Sequence, residues 1–310
     1  MPHAPHDLFQ DTARLVEIED GVHVYLQSHS GWCVSNAGVL AGRRSTTLVD
    51  CTATERRALG LKAAVAELTP HPVTRVVITH HHGDHHYGAS LFTPQATVIA
   101  HEEARSANLL DGLNLPVIWP EVQWGAVRPM EPDVTFRDRL TLHLDDRPVE
   151  LVHYGPAHTT GDLVVWLPDT RVLFAGDLTF SGTTPFVMMG SVTGCIETLE
   201  QLAALDPAVV VSGHGPVQDA SVIATNLRYL RLVLRLAQEG RAAGLTPLQV
   251  AQDADLGEFA DLPESERLVA NLHRAYHDLA GGVRGERLAI PPVLRDMITC
   301  NGGAPLRCLA

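Results

Sequence analysis

The stretch VVITHHHGDHHYGAS, residues 76–90, constrains this chain more than any other. An apolar, β-branched run leads directly into five histidines and an aspartate. The apolar part, VTRVVITH at 73–80, reads as a buried strand. The polar part cannot follow it into a core unless every imidazole and carboxylate finds a partner. A stretch this rich in imidazole is either a metal site or an accident of composition. His80 and His82 are two apart, so an extended backbone puts both side chains on one side. Asp84 and His85 follow at a turn through Gly83 into a short helix. The spacing H-x-H-x-D-H thus sets four ligand-type groups at the lip of one strand. Imidazole suits zinc and iron, and the carboxylate adds a harder anionic ligand. His81 and His86 are expected to point elsewhere.

Three further ligand-type residues stand at similar places downstream. His158 lies in YGPAHTTGD, a Gly/Pro turn after the apolar run VELVHY. Asp177 ends RVLFAGD, and His214 ends AVVVSGHG. Each alone is weak, since a histidine after a strand is more often a satisfied loop residue. An aspartate there is more often a cap or turn former. Gathered at strand ends on one edge, they form the kind of site that α/β enzymes build.

The surrounding pattern agrees. Short β-branched runs at 22–27, 33–42 and 46–50 are followed by a helical pattern at 53–68, with Thr52 or Thr54 as N-cap, and then by the strand at 73–80. A second cluster of strand-like runs precedes a helix at 196–205 and a strand at 208–215. Two such halves predict two sheets packed face to face with helices outside. From Asp219 onward the chain reads as helical, with amphipathic segments at 220–243 and 264–280. The expected division is a catalytic domain over 1–218 and a helical C-terminal extension over 219–310. The segment 110–132 is rich in Pro, Gly and Trp, and a loop of that length inside a domain is usually functional.

Taken in order, H-x-H-x-D-H, the His of GPAHTTGD, the Asp of FAGD and the His of SGHG resemble the metallo-β-lactamase superfamily over roughly 15–215. The resemblance implies an α/β fold, an αββα sandwich with a metal site at one edge. It implies that His80, His82 and His158 hold one metal and that Asp84, His85 and His214 hold another. Asp177 bridges them, and two Zn²⁺ per chain are expected, with iron as the alternative. Two such ions share a water and lower its pKa toward about 7. Asp84 and Asp177 are the expected catalytic carboxylates. Antibiotic-hydrolysing branches generally lack the bridging aspartate. Lactonases of this type place a tyrosine three residues after it, where this chain has Phe180. Glyoxalase II enzymes carry a basic helical domain that the tail here does not match.

A narrower likeness spans most of the chain. GWCVSNAG, VTFRDRLTLH, TPFVMMGSVTG, RLVANLHRAYHDL and the C-terminal NGG…CLA resemble the second-ring cyclases of aromatic polyketide clusters, of the actinorhodin type. This implies aldol ring closure and thioester release of a poly-β-keto chain carried by an acyl carrier protein. An apolar pocket for such a substrate would draw on Trp119, Trp124, Phe180, Phe186, Met188 and Met189. The alternatives are a general hydrolase of small thioesters, esters or lactones, glyoxalase II-like or lactonase-like, and a non-enzymatic zinc-stabilised protein. A structural zinc site is closed by four ligands, usually with cysteine, so seven ligands for two ions count against the last.

Composition narrows the partners. The chain has 310 residues and a formal charge of −13 from 23 basic and 36 acidic residues. Without a basic block, neither nucleic acid nor an anionic membrane is expected as partner, and a homo-oligomer stays open. Five scattered cysteines without a CxxC read as reduced thiols, and Cys195 as a packing thiol without a histidine partner. The first 22 residues lack a basic n-region and an apolar h-region, so a soluble, cytoplasmic protein is expected.

Overall fold

The computed structural model describes residues 13–27 and 31–310; most of the N-terminal stretch read above for a leader lies outside the described residues. Among the described residues, twelve strands form two sheets. The first contains β1 (Arg14–Glu19), β2 (Val22–Leu26), β3 (Ala37–Ala41), β4 (Thr46–Val49), β5 (Val73–Val77), β6 (Thr97–His101) and β7 (Val134–Phe136), ordered as in the chain. Strands β1 to β4 pair antiparallel, and β4 to β7 pair parallel. The second contains β8 (Arg139–Leu144), β9 (Arg147–His153), β10 (Leu163–Leu167), β11 (Val172–Phe180) and β12 (Val209–His214). Only β11 and β12 pair parallel there.

Both faces of the inner strands are apolar, and their period-2 alternation feeds two different cores. Val77, Leu163, Val165, Phe174 and Val211 point between the sheets and share one buried cluster. Their neighbours Val76 and Ile78 pack outward against Leu61 and Val65 of α1 (Glu55–Leu68). Val164, Leu173 and Val210 pack outward against Leu199 of α5 (Val192–Ala204) and Ile223 of α6 (Ser221–Ala242). Helices thus cover both outer faces of a two-sheet sandwich, the αββα arrangement.

Helix α1 begins at Thr54, whose side chain accepts from Arg57 N. Shorter elements are α2 (Gly83–His86), α3 (Glu102–Asp111) and α4 (Leu115–Ile118). After α6 come α7 (Pro247–Asp253), α8 (Arg267–Leu279) and α9 (Ile290–Cys300). The final residues then run back to the first half, where Leu309 N donates to Trp32 O at 3.0 Å.

Three sequence expectations need correction. The run at 33–42 is strand only from Ala37, because Cys33 takes a left-handed φ of 64° and Asn36 N turns aside to Gly213 O. The strand at 73–80 leaves its ladder after Val77, because the Asp50 carboxylate takes the Thr79 N–H at 2.7 Å. Asp177 lies inside β11 rather than at its end, at an irregularity in the pairing with β12. Bulges of this kind re-aim a side chain. Gly176 adopts φ +52° there, and a Cβ would stand 2.7 Å from Thr79 Oγ1.

Asn226 of α6 joins the helical segment to the strand that carries Asp177. Its Oδ1 accepts from Phe180 N at 3.1 Å, and its Nδ2 donates to Phe180 O at 2.9 Å. Replacing a buried, doubly bonded amide leaves both backbone groups unpaired. Asn226→Leu is expected to lower unfolding stability by about 2–4 kcal/mol in urea titration; a change below about 0.5 kcal/mol would show that water or neighbours replace the amide.

Candidate metal centre

Four separate chain segments deliver the seven ligand-type groups to one sheet edge. His80 and His82 follow β5, Asp84 and His85 sit on α2, His158 is in the β9–β10 loop, and Asp177 and His214 come from β11 and β12. The donor atoms of His80, His82, His158 and Asp177 lie within 4.8 Å of one another, and those of Asp84, His85 and His214 do likewise. Asp177 faces both groups. Its Oδ2 is 3.8 Å from His80 Nε2, 3.5 Å from His158 Nε2 and 3.4 Å from His214 Nε2, while Oδ1 is 3.2 Å from His85 Nε2. Asp84 Oδ2 is 3.4 Å from His214 Nε2 and 3.7 Å from His85 Nε2.

The imidazoles are held from behind. His80 Nδ1 meets Thr79 Oγ1 at 3.0 Å, and His85 Nδ1 meets Asp50 Oδ2 at 2.8 Å. His158 Nδ1 bonds Phe186 O at 2.7 Å, and His214 Nδ1 bonds Val34 O at 3.0 Å. Each of these bonds occupies the far nitrogen and turns Nε2 inward. His82 is reversed, with Nε2 3.2 Å from Met189 Sδ and Nδ1 2.9 Å from His158 Nε2. The turn carrying His158 is fixed by Asp162, which accepts from Thr159 N and Oγ1.

Close approach explains the glycines of SGHG. A Cβ on Gly213 would lie 1.9 Å from Asp177 Oδ1, and one on Gly215 would lie 1.8 Å from Ser181 O. Only glycine lets β12 pass this near the carboxylate.

Burial and charge divide the histidines. Burial pushes His82 and His158 down to about 3, so both are neutral with a free lone pair. His80 is driven well below its ordinary range, first by burial and then by the neighbouring His85. Burial also opposes protonation of His214, yet Asp177 and Asp84 overcome it and lift the imidazole to about 9. Burial resists ionisation of Asp177 too, but His214 and His85 hold its carboxyl well below the carboxylate range. His80 Nε2 is buried without a hydrogen-bond partner, and His85 Nε2 and Asp177 Oδ1, though 3.2 Å apart, miss hydrogen-bond geometry. Lone pairs left this way in a low-dielectric site are costly unless a cation takes them. The donor set of five imidazoles and two carboxylates therefore fits two divalent ions.

The site opens onto a cleft of about 720 Å³. Trp119, Phe180, Phe186, Met188 and Met189 border it together with Asp84 and Asp177. Trp124 does not. It is 7 % exposed, its Nε1 donates to Trp119 O at 3.0 Å, and its ring packs edge-on to Tyr87. His81 and His86 point away, and His81 lies 3.5 Å from Asp111. Cys195 is a buried core thiol, and all five cysteines are free. No helix among the described residues is long and apolar enough to cross a membrane.

Several residues escaped the sequence reading. Asp50 ends TTLVD just past β4, a strand-end position like that of His214, and that placement was its signal. Its carboxylate accepts from Thr79 N, Thr79 Oγ1 and His85 Nδ1, with distances of 2.7, 2.7 and 2.8 Å. Trp32, Arg267, Leu294, Met297 and Leu306 also border the cleft; Trp32 and Arg267 stand in the GWCVSNAG and RLVANLHRAYHDL runs, but nothing in those runs singled them out as site residues. Asp50→Asn should weaken metal retention about 10- to 100-fold, read as metal content after dialysis against graded chelator. Retention equal to that of the unaltered chain would remove Asp50 from the site.

Comparison with known proteins follows the same outline. A family model described as the metallo-beta-lactamase superfamily matches residues 30–214. A type 2 metallo-beta-lactamase of Bacteroides fragilis is 26% identical over 214 residues, covering 66% of this chain and 80% of that protein. A hydroxyacylglutathione hydrolase of Shewanella sp. (strain ANA-3) is 32% identical over 142 residues, covering 45% of this chain and 47% of its own. The solved metallo-beta-lactamase from Pontibacter korlensis superposes with a TM-score of 0.57 at 23% identity, over 71% of this chain and 99% of that one, which speaks to the fold. The matched residues run from just before Trp32 to His214 and take in all seven ligand-type groups, so this chain belongs to the metallo-β-lactamase superfamily.

Proposed function

We propose that this chain is a metal-dependent hydrolase of activated acyl compounds, with thioesters as its first class and esters and lactones beside them. The observation that carries this reading is the pair of His/Asp clusters joined by Asp177 and opening directly onto an apolar cleft. The similarity to a protein named hydroxyacylglutathione hydrolase supports it, since a hydroxyacylglutathione is an acyl thioester.

His80, His82 and His158 would hold one ion, Asp84, His85 and His214 the other, and Asp177 both. Zinc suits this imidazole and carboxylate set, and iron is the alternative. Such ions, when bound, activate water at neutral pH and polarise an acyl carbonyl. The chain's own residues do the rest. Asp84 borders the cleft and orients the attacking water. Phe180, Phe186, Met188 and Met189 keep bulk water from the acyl group. Phe180 stacks on His214, with ring centroids 5.6 Å apart and planes 8° apart, and offers no hydroxyl to a leaving group. A thioester needs none, because sulfur donates poorly into the carbonyl and leaves as thiolate.

A finer reading is supported by the size and apolar lining of the cleft and by the sequence likeness to second-ring cyclases. In it the acyl group is a polyketide chain delivered by an acyl carrier protein. Release then accompanies aldol ring closure. Cyclised product from a β-keto thioester would favour this reading; the free linear acid alone would leave simple hydrolysis.

The test is a side-by-side measurement of kcat/KM on an aryl-ketone or β-keto thioester, a β-lactam and an acyl-homoserine lactone. The thioester is expected to lead by at least tenfold, about 1.4 kcal/mol of transition-state stabilisation. Chelator should abolish the activity, and Asp177→Asn should weaken both metal retention and turnover. A lead of tenfold for the lactam or the lactone would overturn the thioester assignment.

A further inference from the structure

Trp32 lies on the cleft wall and is clamped from the C-terminal helical segment. Its backbone N–H donates to Glu264 Oε1 at 2.6 Å, and its Nε1 donates to Glu266 Oε1 at 2.8 Å. Both glutamates lie just ahead of α8, some 230 residues away in sequence. Arg267, the first residue of α8, places its guanidinium carbon 4.3 Å from the indole centroid. Arg267 is only 2 % exposed, pairs with Glu264 and donates to Thr184 O at 2.9 Å. Phe186 meets the ring edge-on at 5.0 Å, and Trp119 lies tilted at 5.8 Å.

These contacts do more than pack a side chain. Both N–H groups of Trp32 are satisfied on the protein side, and a cation covers one face of the ring. Trp32 nevertheless stays half-buried, unlike Trp119 and Trp124, which are buried. It borders the cleft with its indole already fixed in orientation. A rigid, preoriented aromatic face favours planar ligands, because stacking adds to area burial without an ordering cost.

We propose that Trp32 is the specificity-determining platform of this cleft, on which a planar acyl group stacks, and that Glu264, Glu266 and Arg267 are its positioning residues. The assignment rests on the acyl-hydrolase reading only for the bond that is broken; the binding preference stands apart from it.

The test compares two uncleavable methyl thioethers on the metal-loaded protein, one naphthyl and one decahydronaphthyl. They share a carbon skeleton and differ in planarity. Calorimetric titration gives the ratio of their dissociation constants. Trp32→Leu, which keeps an apolar wall and loses the plane, is expected to shift that ratio about tenfold against the naphthyl ligand. Trp32→Phe should stay within about threefold of the unaltered chain. Nitrogen-15 spectra give a second readout that does not need the leucine variant to fold. The indole N–H signal missing in Trp32→Phe should move on adding the naphthyl ligand and move much less with the decahydronaphthyl one. An unchanged ratio in Trp32→Leu, or an indole signal that ignores the naphthyl ligand, would overturn the proposal. A Trp32-dependent ratio in a protein that hydrolyses no thioester would instead sink the functional reading and leave this one standing.

Discussion

A buried carboxylate surrounded by imidazoles governs this molecule. Asp177 is 7 % exposed and faces four imidazole nitrogens within 3.8 Å. Charge at such depth is tolerated only when opposite charge or a cation compensates it. The backbone has been shaped around that need. Gly176 kinks β11 to aim the side chain, and Gly213 leaves room for β12 to pass it. The groups it faces come from both sheets, so the site exists only when the sheets pack together at this edge. The apolar alternation that drives their packing therefore also assembles the chemistry.

Support for the centre extends outward in layers. Asp50 and Thr79 fix two imidazoles from the first sheet, and the carbonyls of Val34 and Phe186 fix two more. The 31–36 loop is tied in turn to both ends of the chain's second half. Asn36 Nδ2 donates to Ser212 O and Gly215 O on either side of His214, while Glu264 and Leu309 hold Trp32. The helical segment is thus joined to the metal edge through Trp32, Asn226 and Arg267. It supplies one wall of the cleft as well, through Leu294 and Met297.

The centre was legible in the sequence because its signals are local. H-x-H-x-D-H places four groups within six residues, while His158 sits in a Gly/Pro turn and His214 at a strand end, each near small residues. Asp177 was legible for the same reason, although its strand continues to Phe180, since a bulge leaves no mark in composition. The cleft was legible only in part. Phe180, Phe186, Met188 and Met189 lie next to ligands in the chain and came with them. Trp124 looked equivalent to Trp119, but its ring packs against Tyr87 while Trp119 borders the cleft. Trp32 and Arg267 were beyond reach, because their meaning lies in contacts across more than 200 residues. Periodicity and spacing report neighbours in sequence, and a wall built from both ends of a chain has none.

The central claim is that two ions sit at this edge and share Asp177. Anomalous diffraction from crystals of the protein carrying its native metal tests it most directly. The account predicts two peaks, one among His80, His82 and His158 and one among Asp84, His85 and His214, both within bonding distance of Asp177. A single peak closed by four ligands, or peaks that leave Asp177 uncoordinated, would contradict it.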